Sequence, residues 1–515
     1  MSEHRSAAEA AATGGNPMSE HRSAAEARSS PGRRGILVVD VGTSGVRAAI
    51  VGPDATVDHI HHRSVLPTTP AQGFVEFDAR AMAEAVLAVA NDALAEGGPV
   101  DAVGIANQRA STIVWDRATG APVGPGVGWQ DLRTAAMCLA LKDQGVSVAP
   151  NESATKIAFL LDMVDPDGQR DLCFGTVDTW VAWTLSGGTL HVSDPSNVGF
   201  TGLCLADGSG WATAPRQALR IPEAVLPTIV DSSGVAGEAR ALPGSPPIAG
   251  LAGDQQASLV GQGCTKPGLA KITFGTGGML DLCIGPQRPS FARRGPHGTF
   301  PIVAWRRHGV ITWGMEAVML TAGQAVEWLR DDLGVLATAA ESAEVAATCT
   351  STDGVCFVPA LLGMGTPPWD FGARGALLGV SRGTGRAQLV RAVLEGVAHR
   401  GVDLIEAVEA DSGVAISTLR IDGGMSANPV FVQALADAAQ RPVEVSPVLE
   451  ATTLGAAFLA GLAVGTWADE DELAATWSPT QIVEPRRRSG AARQRWKEAV
   501  TRARGWVPDL SAIEF

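Results

Sequence analysis

The sequence predicts an α/β protein with two domains, and three observations support this fold class. At 515 residues, the chain is longer than a single hydrophobic core usually supports. Apolar residues make up 45% of the chain and charged residues 18%, as in globular proteins that bury large cores. An apolar strand followed by a glycine-rich turn occurs in both halves, at residues 36–45 and 272–278. Together these features indicate two α/β halves.

The charge and hydropathy of the chain exclude several classes of partner. The formal net charge of −14 argues against nucleic acid or an anionic membrane surface, because both are bound by basic patches. No run of about 18 apolar residues occurs, and the N-terminus lacks an apolar segment. The sequence therefore predicts neither a membrane-spanning helix nor a signal peptide. Because the chain as a whole is acidic, any phosphate must be bound by a few local side chains and backbone groups.

Cysteine and histidine usage gives no support for a disulfide framework or a metal site. The chain has seven cysteines, an odd number, with no Cys-x-x-Cys pair. This pattern fits a reducing cytoplasm, and we expect no structural disulfide and no zinc. His59, His61 and His62 lie in a polar stretch without a fourth ligand, so a solvated face is favoured over a metal site.

The first 34 residues are expected to form a disordered N-terminal extension. The segment MSEHRSAAEA at residues 1–10 is repeated without change at residues 18–27. Its small and charged residues bury too little surface to order the chain. Because the second copy begins with its own Met18, an extended or misassigned start is favoured over a functional repeat.

The segment GILVVDVGTSGVRAAI at residues 35–50 predicts a strand, a small-residue turn and a second strand. The apolar run is typical of a strand buried on both faces, and it places Asp40 at the strand end. The glycines allow backbone N–H groups to point inward, while Thr43, Ser44 and Arg47 add hydroxyl donors and a positive charge. The pattern suits a phosphate-binding turn, and an ordinary hairpin is the alternative from these residues alone.

A capped helix and a short strand follow. Asp78 precedes apolar residues at helical spacing, which end at Gly97. The strand at residues 102–106 delivers the polar residues 107–109 to a position where parallel sheets usually carry chemistry. Further along, Trp129 is either the wall of a small-molecule pocket or a half-buried core residue.

A second strand end carries another carboxylate. The apolar residues 247–253 lead to Asp254 and Gln255, and a helix is expected to begin around Gln256. A carboxylate at a strand end suits a general base. Helix capping is the alternative role for Asp254.

Two further strand–glycine turns occur in the second half of the chain. Residues 272–279 contain Gly-Thr-Gly-Gly after a strand, and residues 419–428 contain Asp-Gly-Gly after another strand. Turns of this kind in both halves suggest that two phosphate-binding turns hold one polyphosphate between them. The glycines of the third turn allow a flat ligand to approach the N-terminus of the following helix.

Two helices are predicted between these turns. Residues 314–332 have an amphipathic pattern, with Gly323 at a point of close packing. Residues 386–410 place Leu389, Val393, Val397 and Ile405 on one face, which indicates a core helix.

The order of these segments resembles the FGGY family of carbohydrate kinases, and within it the members that phosphorylate glycerol most closely. The resemblance extends from about residue 36 to residue 467. Its most specific segments are DVGTSGVRA at Asp40, NQRASTIVW at Asn107, GLAGDQQASLVGQ at Gly250, FGTGG at Phe274 and DGGMSANP at Asp422.

The family resemblance implies a specific version of the two-domain fold. Its members have two ribonuclease-H-like domains, as in actin, sugar kinases and chaperone ATPases, with an ATP cleft between them. Applied here, residues 35–262 would form the N-terminal domain, with substrate and phosphate contacts. Residues 263–515 would form the C-terminal domain, which binds the nucleotide.

The resemblance also implies a set of site residues, with ATP and Mg²⁺ as cofactors. Asp40 would lie near Mg²⁺, and Asp254 would be the catalytic general base that accepts the substrate hydroxyl proton. Arg109, Trp129 and Gln255 would join Asp254 in binding the substrate. The residues implied in ATP binding are Thr43, Ser44, Arg47, Thr276, Gly277, Gly323, Glu327, Gly424 and Asn428, of which Glu327 stands where glutamine is usual.

Three positions in the implied substrate pocket depart from the glycerol-phosphorylating members. Ala110 replaces a glutamate, Asn151 replaces a tyrosine and Met279 replaces a phenylalanine. The chain contains no tyrosine at all. The pocket is therefore expected to be wider and less acidic, so that the substrate is glycerol or a related, larger polyol or sugar.

Two classes of function follow from these expectations. The favoured one is a cytoplasmic ATP-dependent kinase acting on a small polyol or sugar, without nucleic acid or an integral membrane partner. The rival is an actin-like nucleotide-switched binding protein without productive transfer. Asp254 favours the kinase, because a switch needs no base on the substrate side. The sequence does not fix the oligomeric state, and a homodimer or a higher homo-oligomer is possible.

Overall fold

The computed structural model describes residues 33–448 and 450–513. The repeated segment at residues 1–27 lies outside the described residues, as does the predicted disordered extension up to residue 32.

The strands of the described residues form one central sheet and four two-stranded sheets. In chain order they are β1 (Ile36–Val41), β2 (Gly45–Val51), β3 (Val57–Ser64), β4 (Glu76–Phe77), β5 (Ala102–Asn107), β6 (Ile113–Asp116), β7 (Gly126–Val127), β8 (Leu172–Gly175), β9 (Val192–Ser193), β10 (Thr228–Ile229), β11 (Ser233–Glu238), β12 (Pro247–Gly253), β13 (Leu269–Phe274), β14 (Gly278–Gly285), β15 (Phe300–Arg307), β16 (Val310–Met319), β17 (Cys356–Val358), β18 (Ala376–Leu378), β19 (Thr418–Asp422), β20 (Val443–Val445) and β21 (Gln481–Val483).

The described residues also form a series of helices. They are α1 (Ala79–Gly97), α2 (Ala135–Lys142), α3 (Ala154–Val164), α4 (Val177–Leu185), α5 (Pro195–Val198), α6 (Thr213–Ala218), α7 (Asp254–Gly261), α8 (Gln324–Asp331), α9 (Glu341–Ala347), α10 (Arg386–Ser412), α11 (Pro429–Ala439), α12 (Ala451–Val464), α13 (Glu470–Thr476), α14 (Gly490–Ala503) and α15 (Pro508–Ser511).

The central sheet consists of two half-sheets. Its 13 strands have the order β21-β20-β19-β13-β14-β16-β15-β11-β12-β5-β1-β2-β3. The strands from β11 to β3 in this order come from the first half of the chain, and those from β21 to β15 come from the second. A single residue pair, Ser233 with Arg307, joins β11 to β15. The mixed α/β fold predicted from the sequence is thereby confirmed.

The hairpin predicted at residues 35–50 is confirmed. β1 pairs antiparallel with β2, from Ile36 opposite Val51 to Val41 opposite Val46. On its other side β1 pairs in parallel with β5. Residues 36–39 have no exposed surface, as expected of a strand covered on both faces.

Two predicted helices are also confirmed, with small differences at their ends. Asp78 caps α1 by accepting hydrogen bonds from the backbone N–H groups of Arg80 and Ala81. The long core helix α10 begins at Arg386 as expected and ends at Ser412 rather than near residue 410. The helix expected from about Gln256 begins at Asp254.

The prediction of one amphipathic helix over residues 314–332 is wrong. Residues 310–319 form β16, which pairs with both β14 and β15, and the helix α8 covers only residues 324–331. Residues 313–317 are all buried. The sequence of a strand covered on both faces does not alternate between apolar and polar residues, so it was mistaken for the sequence of a helix.

Helix α12 returns from the second half of the chain to the first half-sheet. Leu454 and Phe458 are buried in one cluster with Ile36 and Val38 of β1. A methyl group at Gly104 of β5 would clash with the backbone of α12. The small residue is therefore needed for this close approach.

The cysteines are unpaired, and the clustered histidines lie on an outer strand. The seven cysteines all fall among the described residues and are free thiols. His59, His61 and His62 lie on β3, where the Nε2 atom of His61 is 3.1 Å from a carboxylate oxygen of Glu96. In the part of the chain that is described, no helix combines the length and the apolar character needed to span a membrane.

Candidate active site

Three neighbouring strands of the first half-sheet end at one edge and bring the predicted polar side chains together. β5 lies between β1 and β12 and pairs with both in parallel. The register places Asn107 opposite the last residues of both neighbours. Asp40, Arg109 and Asp254 therefore leave the sheet at adjacent strand ends, as expected for sites in parallel sheets.

Arg109 is the central cation of this edge. Its Nε atom lies 3.5 Å from Oδ1 of Asp254, and its Nη1 donates to Oε2 of Glu316 at 2.6 Å. The guanidinium also stacks over the ring of Phe200, 3.8 Å from the centroid. Burial would lower the pKa of Arg109, but Glu316 and Asp254 raise it above its usual value. Arg109 is thus a fixed positive charge.

Asp40 and Asp254 form an interacting pair of carboxylates. Burial and the nearby Asp254 raise the pKa of Asp40 to about 7, although Arg47 opposes the shift. Burial also raises the pKa of Asp254, while Arg109 and the backbone N–H of Gln255 act in the opposite direction. Carboxylates of raised pKa can accept a proton near neutral pH.

The β1–β2 turn presents its hydroxyl groups at the same edge. Gly42 and Gly45 close the turn through a backbone hydrogen bond of 3.0 Å. Ser44 is exposed and Thr43 partly exposed, and the indole Nε1 of Trp129 donates to Thr43 Oγ1 at 3.4 Å. The turn is therefore open toward the residues that the family resemblance assigns to substrate.

Arg47 has a partner from the second half of the chain. Its guanidinium is ion-paired with Glu450, the residue before α12, and both side chains are about one-third exposed. A phosphate that binds Arg47 would have to share the guanidinium group with Glu450 or displace the Glu450 carboxylate.

The β13–β14 turn has the predicted hydroxyl and glycines. Thr276 is exposed, and its carbonyl oxygen accepts from the backbone N–H of Ala322 at 2.8 Å. Gly275 accepts from Gly323 N–H at 2.8 Å, and a Cβ at Gly323 would lie 2.7 Å from the Gly275 oxygen. The close packing expected at Gly323 is confirmed.

The third turn lies beside the second, because β19 pairs in parallel with β13. Asn428 caps α11 by accepting from two backbone N–H groups, and its Nδ2 donates to Ser342 Oγ at 3.0 Å. Gly424 and Glu327 are exposed. The residues that the family resemblance assigns to the nucleotide thus lie mainly on neighbouring turns of the second half-sheet.

The substrate-side residues from the first half lie close together. Ala110 is buried and has a positive φ of 62°, and its carbonyl accepts from Ser153 Oγ at 3.0 Å. Lys156 Nζ donates to the carbonyl oxygens of Trp129 at 3.3 Å and Asn151 at 3.4 Å. Burial lowers the pKa of Lys156 to about 7. Trp129 itself is 39% exposed, which suits a pocket wall better than a core position.

A buried row of charges across the second half-sheet was not found by sequence reasoning. Lys271 of β13, Asp281 of β14 and Glu316 of β16 are direct cross-strand partners and point to the same face. All three are buried. Met279 lies two residues from Asp281 and therefore shares this face. The sequence signal that could have revealed this row is a single charged residue within each of three otherwise apolar strands.

A second missed feature is the buried carboxylate of Asp194. It accepts hydrogen bonds from Ser196 Oγ, Asn197 Nδ2 and Ser232 Oγ at 2.6–2.9 Å. Ser196 Oγ in turn accepts from the backbone N–H of Gly253 at 2.9 Å. Asp194 therefore fixes the strand end that carries Asp254 through Ser196.

Comparison with protein families gives one consistent match. The description "FGGY family of carbohydrate kinases, N-terminal domain" matches residues 35–261, and the corresponding C-terminal domain matches residues 270–464. Together the two matches cover most of the chain.

Individual relatives agree with this match. A glycerol kinase of Trichlorobacter lovleyi is 41% identical over 495 residues, which cover 92% of this chain and 99% of that protein. Glycerol kinase 2 of Thermotoga maritima is 40% identical, with the same coverage of 92% and 99%. The crystal structure of Plasmodium falciparum glycerol kinase with ADP superposes with a TM-score of 0.85 at 26% identity, covering 94% of this chain and 99% of that one.

Proposed function

The chain belongs to the FGGY family of carbohydrate kinases, and from this premise we propose that it phosphorylates a hydroxyl of glycerol or a related polyol or sugar, with Asp254 as the general base. It is an ATP-dependent carbohydrate kinase. The observation that carries the proposal is the position of Asp254 beside Arg109 and Asp40 at adjacent strand ends.

Asp254 accepts the proton of the attacking hydroxyl. The hydroxyl oxygen forms a bond to the γ-phosphorus of ATP, the bond from that phosphorus to the bridging oxygen breaks, and ADP leaves. Arg109 holds Asp254 in place, and its charge opposes the rise in the pKa of Asp254 that burial causes. Positioning and charge neutralisation contribute most of the rate in such transfers.

The two glycine turns bind the triphosphate from opposite sides. Thr43, Ser44 and Arg47 act from the first half of the chain, and Thr276 and Gly277 act from the second. Gly323, Glu327, Gly424 and Asn428 form the side that receives the ADP moiety.

Asp40 fits a magnesium ion. Its side chain is a carboxylate, which is the ligand type that Mg²⁺ prefers, and burial next to Asp254 raises the pKa of Asp40 to about 7. Bound Mg²⁺ would neutralise charge on the phosphate oxygens. Asp40 would hold the ion, and Asp254 would remain available to the substrate hydroxyl.

The substrate pocket favours an acceptor other than glycerol alone. Arg109 and Gln255 offer hydrogen-bond donors and Trp129 offers an aromatic face, while Ala110, Asn151 and Met279 form the remaining wall. Asn151 is exposed, and Ala110 brings no polar side chain. A larger polyol or sugar fills the space better than glycerol.

The proposal extends to the organisation and location of the chain. Residues 35–262 supply the substrate and the first phosphate contacts, and residues 263–515 supply the nucleotide side, with α12 packing back on the first half-sheet. Seven free cysteines suit a cytoplasmic enzyme.

A screen for ADP release tests this function. The purified protein would be given ATP and Mg²⁺ with glycerol, erythritol, xylitol and several pentoses and hexoses in turn, and one reaction would contain no acceptor. We expect release to depend on the acceptor. Equal ADP release with every acceptor and with none would contradict the proposal.

A further inference from the structure

Lys156 is a buried cation that the proposed reaction does not use. It lies in the first turn of α3, and its side chain has no exposed surface. Nζ donates to the main-chain carbonyl oxygens of Trp129 at 3.3 Å and Asn151 at 3.4 Å. Both of these residues belong to the proposed acceptor pocket, and they lie on separate segments of the chain. One side chain therefore contacts two sides of the pocket.

The fold itself gains little from a lysine at this position. Burial lowers the pKa of Lys156 to about 7, although Asp131 opposes the shift, so the charged form is costly to bury. The helix dipole disfavours a positive charge in the first turn of a helix. Both hydrogen-bond acceptors are neutral carbonyl groups, which hold an ammonium group less strongly than a carboxylate does. These costs point to a role for Lys156 in the segments that it contacts.

The geometry of the helix explains how Lys156 reaches back to the pocket. Side chains of an α-helix lean toward its N-terminus, so Lys156 extends toward the turn that precedes α3 and carries Asn151. An ammonium group has three N–H donors and can bind two carbonyl oxygens at once. Because the contacts are with the backbone, they fix the points from which the side chains of Trp129 and Asn151 project.

A third segment of the pocket is joined to the same helix start. Ser153, the residue before α3, donates through Oγ to the carbonyl oxygen of Ala110 at 3.0 Å. The backbone N–H of Trp129 donates to Ser111 Oγ at 3.1 Å, which links the segment of Trp129 to that of Ala110. The start of α3 therefore contacts all three segments, and Lys156 holds two of them.

We propose that Lys156 is a positioning residue for acceptor binding, which ties the backbones of Trp129 and Asn151 and so keeps two sides of the pocket at a fixed separation. It acts through these residues and does not touch the acceptor, because its side chain has no exposed surface. This inference rests on the proposed function, in which Trp129 and Asn151 belong to the acceptor pocket.

Hydrogen–deuterium exchange of the ligand-free protein tests the tie without an acceptor. The N–H groups of Trp129 and Glu152 are hydrogen-bonded, so their exchange reports the order of the two segments. Lys156→Met keeps an unbranched side chain and removes the donors. In this variant we expect peptides covering residues 127–133 and 149–153 to exchange about three- to tenfold faster. Exchange of the β13–β14 turn should stay the same.

Steady-state kinetics then separate positioning from a purely structural role. Glycerol, erythritol and xylitol are the acceptors, with ATP and Mg²⁺. We expect Lys156→Met to raise the KM for the acceptor about three- to tenfold, while kcat and the KM for ATP change by less than about twofold. A loss of folded protein alone would lower kcat and leave the KM for the acceptor unchanged.

Thr155→Val is the matched control on the same helix. Thr155 is buried, and its Oγ1 is hydrogen-bonded to Oγ1 of Thr134 at 2.8 Å. The substitution removes a buried hydrogen bond beside Lys156 and leaves the contacts of Lys156 in place, so the KM for the acceptor should stay at the wild-type value. If Lys156→Met does not fold, Lys156→Gln replaces it, because its polar side chain is too short to reach both carbonyl oxygens.

The outcomes separate this inference from the proposed function. Unchanged exchange in both segments of the Lys156 variant, or a wild-type KM for the acceptor, would overturn the inference alone. Equal rises in the KM for the acceptor in the Lys156 and Thr155 variants would also overturn it. If the wild type shows no acceptor-dependent ADP release with any polyol or sugar, the proposed function fails, and exchange still reports whether Lys156 ties the two segments.

Discussion

The Nε atom of Arg109 lies 3.5 Å from Oδ1 of Asp254, while its Nη1 donates to Glu316 at 2.6 Å. Arg109 and Asp254 follow the ends of the neighbouring strands β5 and β12 in the first half-sheet, and Glu316 lies on β16 in the second. The Arg109 side chain is only 10% exposed, so solvent screens these charges poorly. The proposed base is therefore held by a cation whose other partner belongs to the opposite half of the chain.

Restoring two family-typical side chains should improve the use of glycerol. In Ala110→Glu/Asn151→Tyr, the new carboxylate supplies a charged acceptor that the methyl group of Ala110 cannot. A hydrogen bond to a charged group contributes ~1.5–3 kcal/mol, which corresponds to an increase of about ten- to a hundredfold in kcat/KM for glycerol. The measurement is the ratio of kcat/KM for glycerol to that for erythritol. Ala118→Glu, on an exposed turn, is the control.

This prediction depends on poor glycerol use by the unmodified protein. Efficient turnover of glycerol at low concentration without any substitution would show that other groups occupy the vacated positions. Ala110 has a positive φ. Alanine and glutamate both carry a Cβ atom and neither is β-branched, so the substitution adds no new backbone strain.

Thr276→Val should weaken the binding of ATP more than that of adenosine. Thr276 is exposed in the β13–β14 turn, and the substitution removes its hydroxyl while keeping its shape. Loss of one hydrogen bond to a charged phosphate costs ~1.5–3 kcal/mol. Calorimetric titration with both ligands checks this, with Thr228→Val as an exposed control. Equal losses for ATP and adenosine would rule out a phosphate contact.

Asp40→Asn should stabilise the ligand-free protein, and more so at high pH. The folded pKa of Asp40 is about 7, above its usual value of 3.8. A carboxyl group with a raised folded pKa contributes its full stability below pH 4, and this contribution is lost as the pH rises to 7. Asparagine does not titrate, so the gain in Tm over the wild type should be larger at pH 8 than at pH 5. A larger gain at pH 5 would show that Asp40 is not destabilised by ionisation.

Ser196→Ala should lower kcat through the position of Asp254. The substitution removes the acceptor of the buried Gly253 N–H group, at a cost of ~1–3 kcal/mol in stability. We expect kcat to fall while the affinity for ATP is unchanged. Thermal unfolding and ATP titration separate this effect from general unfolding. Wild-type kcat in a measurably destabilised variant would limit Ser196 to a structural role.

The sequence predicted features whose determinants are local. The hairpin at residues 35–50, the cap at Asp78 and the two later glycine turns each depend on residues that are neighbours in the chain. The order of these segments also identified the family. Such signals do not depend on how distant strands pair.

Features that depend on long-range pairing were not predicted. Residues 314–317 look helical in isolation, but they belong to β16, which pairs with β14 and β15, and all four are buried. The contact of Lys271 with Gln255 and the hydrogen bonds of Asp194 join segments that only the folded sheet brings together. No periodicity in the sequence marks such contacts.

The substitution Asp254→Asn tests the central claim most directly. The amide keeps the size of the side chain and cannot act as the base, and removal of a general base typically lowers the rate by about 10²–10⁴. With the best acceptor from the screen, we predict a fall of this size in kcat and unchanged ATP binding by titration. Asp231→Asn, which alters a carboxylate paired with Arg306 that is not among the proposed site residues, should retain activity. Near-wild-type kcat in Asp254→Asn would contradict the account.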